Sequence, residues 1–329
     1  MGKTFDSIPW RALQCHKKQL TLDIVLKCGQ SFRWTKSKEF WIGVLFGRVW
    51  QLSQDDHHLH FRSLAKEELA ASAEEKLLRD YFQLDVDLVP LYEKWAANDP
   101  VFEKLSTQFA GVRMLRQDPV ENLFSFICSS NNNIQRISQM VENMCSNYGQ
   151  EVASIDNKSY YAFPTIDRLA EAEVEAKLRK LGFGYRAAYI SKTARQLQEK
   201  GGKDFLMSLR SNYDYEEARQ ALLTFNGIGP KVADCILLMS LDKPGAIPVD
   251  THMFQIAAKS YLPHLKAYKS VTDKVYVEIG QHFRSLYGEY AGWAHSVLFS
   301  ADLKHLQEQH KEASPTEKKK ARKRKSSQR

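Results

Sequence analysis

The stretch from Leu222 to Met239 constrains this chain most. It reads Leu222-Leu223-Thr224-Phe225-Asn226-Gly227-Ile228-Gly229-Pro230-Lys231-Val232-Ala233-Asp234-Cys235 and continues with Ile236, Leu237, Leu238 and Met239. One helix ends, a Gly-x-Gly turn follows, and a second helix starts with Pro230 at its first position. Gly227 and Gly229 are expected to supply backbone angles that other residues resist. Such a turn points N–H groups, including that of Val232, past a helix N-terminus, which is an anion site suited to a phosphate oxygen. The second helix is too apolar to lie on the surface, so Lys231 stands at the mouth of a buried helix. A first-turn lysine is ordinarily solvated. Here the helix dipole and desolvation are both expected to disfavour its charged form, leaving an amine usable as a nucleophile.

Nineteen residues on, Pro248-Val249-Asp250-Thr251-His252 leads into another helix. Asp250 is predicted as its N-cap. A carboxylate at the edge of a cleft also stabilises a developing cation. His252 either hydrogen-bonds a phosphate or packs.

The rest of the chain gives the frame. Phe40–Phe46 and Val49–Leu52 are aromatic and β-branched runs that predict a hairpin, and His58–Phe61 alternates like a third strand. From Asp118 nearly everything reads as helix. Asp118-Pro119-Val120-Glu121 predicts a capped start with Glu121 completing a capping box. Ile134, Ile137, Met140, Val141 and Met144 share one helical face, and a single helix is predicted over 167–180. The fold class expected is α+β, with an N-terminal antiparallel sheet domain (1–117), a mostly helical region (118–310) and a disordered basic tail (311–329). That tail carries nine basic and two acidic residues, leaving 38 and 37 for the other 310. The net charge of +8 therefore belongs mostly to the tail, and a nucleic-acid surface on the folded part must come from local clustering. The tail reads as a solvated segment, a nuclear-import signal or a DNA tether. Five cysteines without a CxxC pair suit reduced thiols and argue against a zinc or iron–sulfur centre. No apolar run reaches the ~20 residues of a membrane span. The first residues show neither a signal core nor, with Asp6, a myristoylation pattern.

The hairpin, Lys231 and the Pro-Val-Asp segment together resemble the helix-hairpin-helix superfamily of DNA base-excision glycosylases, and most nearly the eukaryotic 8-oxoguanine DNA glycosylases. The resemblance runs through Cys28–Trp34, Phe124–Ile134, Leu181–Arg186, Lys231–Cys235, Pro248–His252 and Tyr290–Ala294, nearly the whole chain short of the tail. It implies a bifunctional glycosylase and abasic-site lyase that excises 8-oxoguanine opposite cytosine from double-stranded DNA. In that role Lys231 attacks C1′ and forms a Schiff base, and Asp250 steadies the cationic sugar. The base is extruded from the duplex. Gly29, Cys235, Phe299, His295 and Pro248 would form the damaged-base pocket, the Gly29 carbonyl accepting from the N7–H that distinguishes 8-oxoguanine. Tyr185 would be the wedge, while Asn131, Arg136 and Arg186 would bind the orphaned cytosine. Backbone at Gly227, Gly229 and Val232, with His252, would hold phosphate.

The resemblance departs at one position: the family carries glutamine where this chain has His295, whose ring presents one donor and one acceptor on opposite sides. His295 is expected to titrate near neutral pH and to make recognition pH-dependent. It shares a face with Phe299 and Asp302. No cofactor or metal is expected. The implied protein is a nuclear monomer, with a mitochondrial share left open. Two other readings fit the hairpin alone: a non-catalytic DNA-binding module, and a glycosylase for another damaged base.

Overall fold

The computed structural model describes residues 5–67, 69–303, 306 and 307. The basic segment 311–329 lies outside the described residues. Five strands, β1 (Arg11–Gln14), β2 (Thr35–Ser37), β3 (Phe40–Leu45), β4 (Arg48–Gln54) and β5 (His58–Leu64), form one antiparallel sheet in the order β1-β5-β4-β3-β2. The expected hairpin is β3–β4, and its two-residue turn is Phe46-Gly47, both at positive φ. That geometry matches the right-handed twist of the strands. A short helix, α1 (Leu22–Val25), and α2 (Ala71–Tyr81) cover one face, burying Trp41, Trp50, Leu52, Phe61 and Leu78 in one cluster.

Two helices that follow, α3 (Leu88–Asn98) and α4 (Pro100–Ser106), belong to the larger core of the helical region rather than to the sheet. There lie α5 (Pro119–Ile127), α6 (Ile134–Tyr148), α7 (Ile166–Ala170), α8 (Val174–Lys180), α9 (Arg186–Glu199), α10 (Gly202–Ser211), α11 (Tyr215–Leu223), α12 (Pro230–Ser240), α13 (Thr251–Ser260), α14 (Asp273–Tyr287) and α15 (Ala291–Asp302). The α6 face predicted from spacing is inside, with Ile137, Met140, Val141 and Met144 buried.

Three local expectations are corrected. The region from Asp118, read as nearly all helix, contains a second hairpin, β6 (Glu151–Ile155) and β7 (Lys158–Tyr161), turned through Asp156-Asn157, both at positive φ. The helix expected over 167–180 is two, α7 and α8, broken where Glu171 turns extended. Each half packs separately on α9. Asp118 caps α5 through the N–H groups of Val120 and Glu121 (2.9 and 3.1 Å), but the Glu121 side chain turns to the buried Arg33 at 3.4 Å. A guanidinium out of water needs an anion more than the helix needs a closed box. The complete box forms at Asp214 and Glu217, on α11.

Candidate active site

The hairpin between α11 and α12 forms as its residues predict, with one change. Gly227 is left-handed at φ +80°, and a Cβ there would sit 2.6 Å from the Tyr189 ring. Gly229, at φ −94° and ψ −179°, is in extended backbone that any residue adopts, so only one of the two glycines is conformationally required. The α9 helix pins the turn: Gln196 accepts from the Asn226 N–H at 3.0 Å, and the Thr193 hydroxyl donates to the Asn226 carbonyl at 2.8 Å. Gly229 has no side chain to cap α12, which leaves the first-turn N–H groups to an outside acceptor.

Lys231 is half-buried in that first turn. Its ammonium lies 3.4 Å from the Ser129 hydroxyl and 5.1 Å from the centre of the Phe126 ring. Asp250 is the N-cap of α13, accepting from the Met253 N–H at 2.9 Å. Two cavities meet at this pair. The outer is a cleft of about 840 Å³ between the 129–134 loop, the hairpin and the start of α13. The inner is a small cavity of about 50 Å³ reaching Cys235, Pro248, His295 and Ser296. Lys231, Asp250, Gly29, Phe126 and Phe299 line both, so the amine and the carboxylate stand at the neck between open cleft and inner pocket. Among the described ion pairs none joins the two.

All five residues expected in the base pocket line the inner cavity. Gly29 is at φ +83°, and a Cβ there would press on Ile134 at 3.1 Å. The Cys235 thiol is fully buried, and desolvation pushes its pKa up to about 11, so it is neutral. His295 corrects its expectation. Burial pushes its pKa down to about 4, with Asp250 and its hydrogen bond to the Pro248 carbonyl offsetting only part of the desolvation. It is therefore neutral near pH 7 and does not titrate there. Asp302 pairs with His252 at 2.9 Å, and His252 packs edge-on against Phe299 at 5.9 Å.

Of the second group, Asn131 lines the cleft, while Tyr185 and Arg186 contact the loop that carries it and Arg136 does not line the cavity. Of the three consecutive asparagines, two are employed locally. Asn133 caps α6, and Asn132 accepts from the Asn133 N–H at 3.0 Å and donates to the Cys128 carbonyl at 2.9 Å. Asn131 is exposed at φ +46°, a conformation asparagine tolerates. Tyr185 is 45 % exposed, a large value for an aromatic ring, and donates to the Ser130 carbonyl at 3.1 Å. Arg186 is buried, stacks over Tyr185 at 4.6 Å and donates to the Ser130 and Asn131 carbonyls. Arg136 is exposed, near the Gly182 carbonyl at 3.4 Å. The 129–133 loop and the 182–186 turn are thus laced into one edge.

Sequence reasoning missed Phe126 and Ser129, which contact the ammonium. They are three apart, Phe126 in the last turn of α5 and Ser129 in the turn just past it, so helical spacing carried one step beyond the helix could have placed them together. Among the described residues one group could hold a metal: Asp55, His58 and His60, on the β4–β5 turn and outside the cleft. Another cavity, of about 730 Å³, opens between the β3–β4 turn and α7. Lys203, at its rim, is tied to Asp118 at 2.6 Å, so that amine is engaged.

A buried hairpin helix carrying a lysine, opposed by an N-cap aspartate at the neck of a pocket, is the arrangement that the resemblance to base-excision glycosylases implies. Residues 124–279 match the family described as HhH-GPD superfamily base excision DNA repair protein, and residues 12–123 match the 8-oxoguanine DNA glycosylase N-terminal domain. The chain is 42 % identical to the N-glycosylase/DNA lyase OGG1 of Arabidopsis thaliana, over 89 % of this chain and 80 % of that relative. It is 39 % identical to an N-glycosylase/DNA lyase of Saccharomyces cerevisiae, over 88 % and 85 %. Among solved structures, MBOgg1 with a low-affinity DNA ligand matches at TM-score 0.78 and 28 % identity, covering 90 % of this chain and 97 % of that one. The 8-oxoguanine glycosylase/lyase of Clostridium acetobutylicum, bound to double-stranded DNA with cytosine opposite 8-oxoguanine, matches at 0.75 and 28 %, covering 91 % and 98 %. The chain belongs to the OGG1-type 8-oxoguanine N-glycosylase/DNA lyases of base excision repair. It is an enzyme, a DNA glycosylase with lyase activity.

Proposed function

We propose that this enzyme excises 8-oxoguanine paired with cytosine from duplex DNA and then cleaves the abasic strand, with Lys231 as nucleophile. The observation that carries this is the placement of Lys231 and Asp250 together at the neck between cleft and inner pocket. The extruded base comes in from the cleft with its edge toward the inner cavity, which puts C1′ at the neck. Once the Lys231 ammonium has released a proton, the resulting amine gives its electron pair to C1′ as the C1′–N9 bond breaks. That bond's pair leaves with the base, which is protonated. Positive charge builds on the sugar at this moment, and the Asp250 carboxylate stabilises it. Loss of the amine proton and ring opening give the imine. Removal of a C2′ proton then expels the 3′ phosphate ester, which is the strand break.

The hairpin supports the DNA contacts. Backbone at Gly227, Gly229 and Val232, with His252 at the cleft rim, would take phosphate oxygens and fix register without reading sequence. Tyr185 fits a wedge because it is exposed and braced by Ser130. Asn131 and Arg136 are exposed beside it and supply the directed donors and acceptors that an orphaned cytosine needs. Arg186 would act through the carbonyls it holds and through any donor it frees when DNA binds.

Borohydride trapping on duplexes with 8-oxoguanine opposite each of the four bases tests this. A covalent adduct is expected, strongest opposite cytosine. Lys231→Gln should lose adduct and strand cleavage while keeping DNA binding. Cleavage by that variant would assign the chemistry to another amine. The basic run 318–325 supports a nuclear location, which deletion of that run in cells would test.

A further inference from the structure

His295 is the pocket residue whose hydrogen-bonding state the structure fixes most closely. The ring is 5 % exposed and lines the inner cavity with Lys231, Asp250, Cys235 and Phe299. Its Nε2 is 3.0 Å from the Pro248 carbonyl oxygen. A carbonyl only accepts, so Nε2 carries the hydrogen, and in the neutral ring Nδ1 is left with a bare lone pair. That Nδ1 is buried and has no hydrogen-bond partner. The neighbouring Ser296 hydroxyl does not serve it, because it donates to the Gly292 carbonyl at 2.9 Å. A buried acceptor left unpaired costs folding free energy, and an empty acceptor beside a reactive amine is what a ligand's N–H would fill. Phe299 lies near-parallel to the ring, at 10° between planes, so the two flat groups border the same space.

We propose that His295 is a specificity-determining residue that reads the extruded base as an acceptor only, taking an N–H of the base edge through Nδ1 and donating nothing to O6. The proposal rests on the 8-oxoguanine reading above. A side-chain amide offers an acceptor and a donor side by side, whereas this imidazole has spent its donor on Pro248. The Pro248 carbonyl is thus part of base recognition, since it sets which nitrogen is free, and it belongs to the segment that carries Asp250. Guanine-type edges present N1–H and an exocyclic N–H₂, both donors. An adenine-type edge presents a bare N1 beside its one N6–H₂ donor, so an acceptor facing the N1 position would set two lone pairs against each other.

The test compares base excision with cleavage of an abasic strand by the same protein, because only the first needs the base to be read. In His295→Leu the ratio of 8-oxoguanine excision to abasic-strand cleavage should fall about 10- to 100-fold. In His295→Gln, which restores an acceptor, it should stay within a few-fold of the unaltered enzyme. The unaltered enzyme should favour 8-oxoguanine and 8-oxohypoxanthine over 8-oxoadenine. An unchanged ratio in His295→Leu overturns the proposal, and so does a parallel loss of both activities in a folded variant, which would mark a structural role. Should the variant fail to fold, nitrogen NMR of the intact enzyme decides: hydrogen on Nε2 supports the proposal, and hydrogen on Nδ1 ends it. If the unaltered enzyme cuts abasic DNA but excises 8-oxoguanine opposite no base, the substrate reading fails, while the NMR result still stands on its own.

Discussion

At Asp250 one carboxylate caps α13 and also lines the cleft beside Lys231. The two tasks are separable. Asparagine caps a helix as well as aspartate does, so Asp250→Asn should change stability by less than about 0.5 kcal/mol in a urea melt. It removes the negative charge from the developing cation, so single-turnover excision should slow by about 100-fold or more. Excision at the original rate would remove Asp250 from the chemistry. His295 makes a second prediction at this scale. Its folded pKa of about 4 lies below the ordinary histidine value, so between the two the unfolded chain binds more protons than the folded one. Stability should therefore fall as pH drops from about 6.5 toward about 4, by up to about 3 kcal/mol from this residue. His295→Gln should flatten that limb of a stability-against-pH curve, and an identical curve would contradict the assignment.

The hairpin element is made by one left-handed glycine and a neighbour it cannot crowd. Gly227→Ala forces a β-carbon into the Tyr189 ring at an unfavourable φ, and should cost about 1–3 kcal/mol by denaturant melt. It should also weaken binding to undamaged duplex. Gly229→Ala, in extended backbone with open space around it, should leave stability within about 0.5 kcal/mol. Equal losses from both would mean that the turn is not held by Tyr189. The sequence announced this element because its signals are local: a helix stop, a turn and a proline in consecutive residues. The β6–β7 hairpin carried an equally local signal, Asp156-Asn157 at a two-residue turn, but short strands between helices are overridden in any reading by helical spacing. The break between α7 and α8 had no such signal, since it depends on how each half meets α9.

At the scale of the molecule, the N-terminal third does not stop where the sheet stops. Trp95 of α3 is fully buried, and its indole N–H donates to the Tyr287 carbonyl of α14 at 3.3 Å. Asp99 accepts from the hydroxyls of Tyr261 and Tyr287 at 2.7 and 2.5 Å. Arg116 joins Asp80, at the end of α2, to Asp242, just after α12. These contacts tie the sheet-bearing part to the helices that carry Lys231 and Asp250. Trp95→Ala should cost about 3–5 kcal/mol in a single cooperative urea transition. A melt that splits, with the helical step unmoved, would show the two parts to be independent. No helix among the described residues is long and apolar enough to cross a membrane.

By itself the sequence determined the pieces whose information is local: the β3–β4 hairpin, the caps at Asp118 and Asp250, the α6 apolar face and the glycine turn before Lys231. Through the family its motifs resemble, it also named Gly29, Lys231, Cys235, Pro248, Asp250, His295 and Phe299, which line the cleft or the inner pocket. Only the tertiary structure decided that Lys231 and Asp250 share a neck, that Phe126 and Ser129 hold the ammonium, and that Arg186 is already bonded to the loop it faces. The same holds for the charge and tautomer of His295. Desolvation and the direction of one carbonyl set them, and both depend on which distant segments pack together, a quantity no window of sequence contains.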